Sequence, residues 1–229
     1  MATEPAVRPF GDAAVLVDLG PDVDLAVSRR VHALSARIAR ATAHEPGWGA
    51  PVPGACSVFV PVDPLEPGAV AAAARLVDIV GDGLADLEPD AADGVAAGVL
   101  EIPTRYGGAD GPDLEAVAEL TGLTPDGVVA RHASVIYTAL FLGFAPGFAY
   151  LGPLPSELSV ARRPVPRTLV PAGSVAIAGA QTAIYPIDSP GGWWILGRTD
   201  IRPWDVQRTP PALIGPGFRV RFVPEPRAR

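Results

Sequence analysis

The sequence predicts two successive domains, an α+β unit with its helices on one face of a sheet and then a β-barrel with peripheral helices. Three observations carry this. Up to Leu84, strand-like apolar runs alternate with helical patterns in the order βαβα. Beyond Gly98, short apolar runs separated by Gly or Pro recur with only two short helices among them. Between the two, LEPDAADGVAAG (Leu87 to Gly98) is acidic and built of small residues, so it reads as a linker dividing the chain into residues 1–92 and 93–229.

Ala13 to Leu19 (AAVLVDL) is an apolar run of β character closed by Gly20-Pro21, the first expected strand. From Asp24 to about Ala43, Val27, Val31, Leu34 and Ile38 recur at helical spacing with arginines between them, and Pro46-Gly47 ends this amphipathic helix. SVFVPV (Ser57 to Val62) reads as a second strand. Pro67 suits the first position of a second helix, with Val70, Ala74, Val77 and Leu84 as its buried stripe.

In the second domain Val99 to Pro103 opens as a strand, and Pro112–Thr121 and Pro125–Ser134 are short helices, the latter with Thr124 as N-cap. VIYTALFL (Val135 to Leu142) returns to β character. Further short strands are expected at Thr168–Val170, Ser174–Ile177, Thr182–Tyr185, Trp193–Leu196 and Arg219–Val223.

Composition removes several classes of function. The chain has 229 residues, 48% hydrophobic and 19% charged, enough for a sizeable core and too apolar for a disordered protein. A formal net charge of −7 argues against nonspecific nucleic-acid binding. All 18 basic residues are arginine, so a phosphate loop that needs its lysine and a Schiff-base lysine are both excluded. Cys56 is the only cysteine, which rules out an intrachain disulfide. No paired histidines stand at metal-ligand spacing, so no bound metal is expected. Without an apolar leader or a long apolar span, the sequence reads as a cytoplasmic protein with no membrane partner.

Chemistry-bearing residues concentrate between Gly143 and Arg198, in GFAPGFAYLG, RPVPRTLVPAGSVAIAGAQ and YPIDSPGGWWILGRT. Gly and Pro at this density shape loops, and aromatics with guanidinium groups on shaped loops suit a small anion or a docking partner. Arg163, Arg167 and Arg198 are candidate carboxylate or phosphate clamps, each held beside Pro or Gly. Phe148 and Tyr150 offer apolar walls, as do Trp193 and Trp194. Ser174 is a candidate oxyanion donor, and Gln181 and Tyr185 could orient a small amide. His132, near the end of its helix, is a candidate proton carrier, with a helix-end histidine held by carbonyls as the alternative.

The motifs RPFGDAAVLVDLG, IPTRYGGADGPDLEAVAELTGL, FLGFAPGFAYLGPLP, R-x-x-PR-x-x-VPAGSVAIAG and YPIDSPGGWWILGRT together resemble the family of 5-oxoprolinase B subunits (PxpB), also called KipI-like or allophanate hydrolase subunit 1 proteins. That resemblance implies a cyclophilin-like barrel for the second domain, of the carboxyltransferase C/D type. It implies one member of a hetero-oligomer. With a homologous C-type partner (KipA- or PxpC-like) and an A-type partner (PxpA-like), it would cleave 5-oxo-L-proline to L-glutamate at the expense of ATP. ATP would be bound by the complex and no cofactor by this chain alone. On that expectation Phe148, Tyr150, Arg163, Ser174, Gln181 and Tyr185 would line the substrate site, with His132, Arg167 and Arg198 acting on the reaction. Relatives that inhibit a histidine kinase, or that form half of a biotin-dependent urea carboxyltransferase, are the alternatives the same resemblance leaves open.

Overall fold

A computed structural model of the chain describes residues 5–81 and 98–226. By its internal contacts the chain divides into two units, Met1–Asp93 and Gly94–Arg229. The expected linker from Leu87 lies outside the described residues up to Gly98, and Leu84 lies outside them as well.

The first unit runs β1 (Ala6–Pro9), β2 (Ala14–Asp18), α1 (Leu25–Thr42), β3 (Val52–Pro53), β4 (Ser57–Pro61) and α2 (Ala69–Gly81). Its strands form one antiparallel sheet in the order β1-β2-β4-β3. Alternation along β2 and β4 sends Val15, Val17, Val58 and Val60 to one face, where they are buried with Val31, Leu34 and Ile38 of α1 and Leu76 of α2. Each such side chain contributes about 1.5–3 kcal/mol by leaving water. Asp24 starts α1, its Oδ1 accepting from the Val27 N–H at 2.7 Å.

The second helix corrects its expected stripe. α2 begins two residues after Pro67, because Gly68 sits at φ 72° and ends the preceding turn. Its buried side chains are Ala69, Ala72, Ala73, Leu76, Ile79 and Val80, so Val70 and Val77 face outward. A run of alanines gives little apolar contrast from which to read the phase.

The second unit contains β5 (Val99–Tyr106), α3 (Leu114–Thr121), α4 (Pro125–Ala133), β6 (Tyr137–Leu142), β7 (Ala149–Gly152), β8 (Arg167–Val170), β9 (Ser174–Ala178), β10 (Gln181–Ile184), β11 (Ser189–Gly191), β12 (Trp194–Arg198) and β13 (Arg219–Pro224). Seven strands close a barrel in the order β10-β7-β6-β13-β5-β12-β9, while β8 and β11 pair as a separate ribbon. Every pairing is antiparallel except β13 with β5, which run parallel from Arg219↔Val99 to Pro224↔Thr104. β7 and β11 fall inside the Gly/Pro-dense blocks, where four- and three-residue strands leave no periodic signal.

Two cores line the barrel wall. Ile102, Tyr137, Leu151, Ile177, Leu196 and Phe222, from six of the barrel strands, fill the interior with α3 and α4 packed onto them. Phe148, Ala176, Ala178, Ala183, Tyr185, Trp193 and Ile195, which alternate with interior positions, form a second core with Val170 of the ribbon. Strand β9 is therefore buried along both faces.

Candidate functional site

The second core opens at the loop between β6 and β7. The Ala145 N–H donates to Gly143 O at 2.7 Å, a three-residue turn whose central residue, Phe144, is held at φ 66°. A non-glycine residue in this region costs roughly 1–2 kcal/mol. Gly147, at φ 79°, has no room for a side chain because Trp204 and Pro203 press against it. The strained turn lifts Phe144 to the surface, 60% exposed, with its ring against Phe148 (5.2 Å) and Tyr185 (6.2 Å). Phe148 in turn meets Tyr150 at 4.9 Å, Tyr185 at 5.4 Å and Trp193 at 5.8 Å, and Phe141 stacks on Tyr150 at 4.2 Å. The result is a nest of six rings in which Phe148, Tyr185 and Trp193 are buried and Phe144 is exposed.

Burial raises both phenols above the ordinary tyrosine range. For Tyr150 the charge of Arg162 opposes the shift; for Tyr185 a hydrogen bond from the Trp193 backbone opposes it first, then Arg162 and Arg167. Both hydroxyls thus stay protonated near neutrality. Gly191 makes room for this arrangement, since a Cβ there would overlap the Tyr185 hydroxyl.

Beside the nest lies an arginine clasp. Asp113, 3% exposed, stands just before α3 but does not cap it. Its carboxylate accepts instead from Arg163 Nη1 (2.7 Å), from Arg167 Nη1 and Nη2 (2.8 and 2.6 Å) and from the Ile195 N–H (2.7 Å). The Arg163 guanidinium also lies over the Trp194 ring, 5.2 Å from its centroid. Arg163 Nε and the Ser189 hydroxyl are buried without a partner among the described residues.

The expected site residues therefore separate. Phe148, Tyr150 and Tyr185 come together, and Arg163 and Arg167 converge on one carboxylate. Arg198 stands about 13 Å along β12 from Trp194, opposite Ser174 of β9, whose carbonyl accepts from the Tyr185 N–H. There it pairs across the ladder with Arg105, which binds Asp200 at 2.8 and 3.0 Å, Asp110 at 3.1 Å and Glu225 at 3.4 Å. Asp200 is held below the usual carboxylate range by the hydrogen bond and charge of Arg105, with Arg198 adding to it. Gln181 opens β10 at the hairpin with β9, the end of that strand away from Tyr185. The Ser174 side chain is buried and donates its hydroxyl to Pro171 O at 2.7 Å, so it is already used within its own turn.

His132 is fully buried in the barrel interior. Its Nε2 meets Thr182 Oγ1 at 2.8 Å and its Nδ1 meets the Tyr106 hydroxyl at 2.7 Å. Thr182 donates its own proton to Ala176 O at 3.1 Å, so the consistent assignment is Nε2–H donating to Thr182 and Tyr106 donating to Nδ1. Burial lowers its pKa to about 3, and the ring stays neutral. Phe222 packs 4.6 Å away and Tyr137 donates to the His132 carbonyl at 2.8 Å. The ring is closed off from solvent, where a proton carrier would need access.

Sequence reasoning missed Asp113, Phe141 and Phe144. Asp113 is separated from its arginines by 50 and 54 positions, and locally it has the look of a helix cap. Phe144 had a signal in the Gly-Phe-Ala-Pro-Gly run, where turn residues surround a bulky ring. No group of His, Cys, Asp and Glu among the described residues is arranged to hold a metal. No described helix is long and apolar enough to cross a membrane.

Comparison with known proteins extends over nearly the whole chain. The family described as carboxyltransferase domain, subdomain C and D, matches residues 5–214. The chain is 43% identical to the 5-oxoprolinase B subunit of Escherichia coli O157:H7 over 216 residues, 94% of each chain. It is 36% identical to the 5-oxoprolinase B subunit of Bacillus subtilis (strain 168), over 95% of this chain and 91% of that one. Among solved structures, TTHA0988 superposes with a TM-score of 0.77 at 35% identity, over 94% of this chain but only 40% of its own longer one. Kluyveromyces lactis urea carboxylase shares the fold at a TM-score of 0.74 and 21% identity, over 97% of this chain and 22% of its own. With two-unit architecture, barrel and motifs all in agreement, this chain belongs to the family of 5-oxoprolinase B subunits and is built of carboxyltransferase subdomains C and D.

Proposed function

We propose that this chain is the B subunit of an ATP-dependent 5-oxoprolinase, which opens 5-oxo-L-proline to L-glutamate together with the A and C subunits in the cytoplasm. The observation that carries this is its 43% identity to a 5-oxoprolinase B subunit over 94% of both chains. The relatives' designation as subunits implies further polypeptides. That the matching stretch fills only 40% of TTHA0988 fits a unit that works beside more protein.

The chemistry explains the need for ATP. A five-membered lactam resists water, and phosphorylation of its amide oxygen would turn a poor electrophile into a good one. This chain has no lysine, and its glycine-rich turn between β5 and α3 (Gly107, Gly108 and Gly111) leads to the arginine-bound Asp113 carboxylate rather than to a phosphate-binding lysine, so ATP is assigned to the complex. The barrel unit contributes one wall of the substrate site. Its six-ring nest excludes water, the protonated, half-buried Tyr150 can donate to a lactam oxygen, and Arg163 with Asp113 fixes the adjoining strand. His132 holds the barrel interior together and positions Thr182 on the strand that leads to Tyr185.

The test is reconstitution. Purified chain alone releases no glutamate from 5-oxo-L-proline, and addition of the A and C subunits with ATP produces release that depends on all three. Failure to release glutamate with all three polypeptides folded overturns the assignment.

A further inference from the structure

We propose that Arg162, rather than either arginine of the clasp, is the anchor for the carboxylate of a small cyclic acid whose ring lies against the aromatic nest. This deepens the function proposed above and rests on it only for the identity of the acid.

The argument begins with charge. Arg162, Arg163 and Arg167 place three guanidinium groups within six residues, and Asp113 is bonded to the last two. That carboxylate is saturated, because its two oxygens already accept four hydrogen bonds from the arginines and the Ile195 N–H. No carboxylate among the described residues is bonded to Arg162. Its side chain is the uncompensated cation of the segment, and the residue is exposed.

Pleating decides where that cation goes. The Trp194 indole donates to Ala161 O at 2.7 Å, and the Arg163 N–H donates to Gly192 O at 2.8 Å, so residues 161–163 run against 192–194. Pro164 keeps Arg163 extended, and successive side chains in extended chain point to opposite faces. Arg163 takes the Trp194 face, where its guanidinium lies over that ring. Arg162 takes the other face, the one on which Trp193 packs into the nest with Phe148 and Tyr150. The adjacent pairs Arg162-Arg163 and Trp193-Trp194 are thus each split between the two faces, with Trp193 buried in the nest and the half-buried Trp194 against Arg163. Arg162's charge reaches both phenols of the nest, which agrees with the placement.

The site so defined takes a single negative charge beside a flat, weakly polar ring with one or two hydrogen-bonding groups. A carboxylate meets Arg162, the ring lies against the exposed Phe144 and the half-buried Tyr150, and the Tyr150 phenol meets the amide oxygen. A five-membered lactam bearing one carboxylate has all three features.

The experiment titrates the full-length chain with 5-oxo-L-proline, with 2-pyrrolidinone as the same lactam lacking the carboxylate, and with pyrrole-2-carboxylate as a flat acid lacking the lactam. Tryptophan fluorescence reports binding, and Trp193→Phe removes the signal. Arg162→Gln, a change at an exposed position, raises Kd for both acids at least about tenfold and leaves the weak 2-pyrrolidinone binding unchanged, and Arg162→Lys recovers part of the loss. In the reconstituted complex Arg162→Gln raises KM for 5-oxo-L-proline by a similar factor while kcat changes less than about threefold. If pyrrole-2-carboxylate binds through Arg162 and 5-oxo-L-proline does not, the anion site stands and the substrate assignment falls. If Arg162→Gln changes neither Kd nor KM, or if no acid binds and KM is indifferent to Arg162, the proposal is overturned.

Discussion

The barrel wall separates two polar assemblies that use similar residue types in opposite ways. Inside, His132, Tyr106 and Thr182 form a chain in which every donor meets an acceptor and the ring is neutral. Outside, Tyr150 and Tyr185 border cationic side chains, one of them without a counter-charge, and donors at Arg163 and Ser189 are left unmet. A saturated network specifies a packed interior, whereas an unsaturated one at an open edge has energy left for a ligand. By this contrast histidine, the residue whose chemistry looks most versatile in the sequence, is buried and fully paired, and the proposed site draws on arginine and tyrosine instead.

The largest way to break the contrast is to remove Asp113, the carboxylate that fixes the strand carrying the open edge. Asp113→Ala leaves two guanidinium groups and the Ile195 N–H without their acceptor, and we expect a loss of about 3–5 kcal/mol in urea denaturation. A loss below about 1 kcal/mol would reduce the clasp to an ordinary surface ion pair.

Next in size is the acid response of the interior. The native His132 pKa of about 3 lies below its unfolded value near 6.5, so the unfolded chain binds the proton first. This contribution to stability is complete above the unfolded pKa and is lost as pH falls, by about 1.4 kcal/mol per unit until the native pKa is reached. Comparing urea midpoints at pH 7 and pH 4.5 gives a decline of roughly 2–3 kcal/mol from this group, and His132→Gln flattens that part of the profile. An unchanged slope in His132→Gln would place the acid sensitivity elsewhere.

Smaller changes sharpen the description of the open edge. Gly191→Ala pushes the Tyr185 phenol from its seat at a cost of about 1–3 kcal/mol, and Tyr185→Phe in the same chain recovers part of it. Thermal melts of the two single variants and the double variant measure that coupling. Phe144→Gly relieves the turn and is more stable than Phe144→Ala by about 1 kcal/mol, yet glutamate release by the complex falls in both because the ring is gone. Full turnover in Phe144→Gly would make the exposed ring dispensable.

Much of the fold was legible because its signals are local. Thr124 was readable as a cap, Pro125 as a helix opener, and the apolar runs of β2, β4 and β9 as strand, since each depends on neighbours a few positions away. β1, β3, β7 and β11 were not, being four residues or fewer and set among prolines and glycines. The aromatic half of the site was readable from the density of rings between Phe148 and Tyr185. Its electrostatic half was not. Which arginine is neutralised depends on a carboxylate about fifty residues earlier and on the pleat of a non-strand segment, and Arg198 looked equivalent to the others until β12 placed it opposite Arg105.

Strand β5 is the first of the seven barrel strands in chain order, and its parallel neighbour β13 is the last of those seven to be synthesised. The ring of strands therefore cannot shut while the ribosome is still delivering residues up to Pro224. Until then the Ile102 and Phe222 positions that later share one interior are exposed or not yet made, which favours late closure and gives chaperones a window of access.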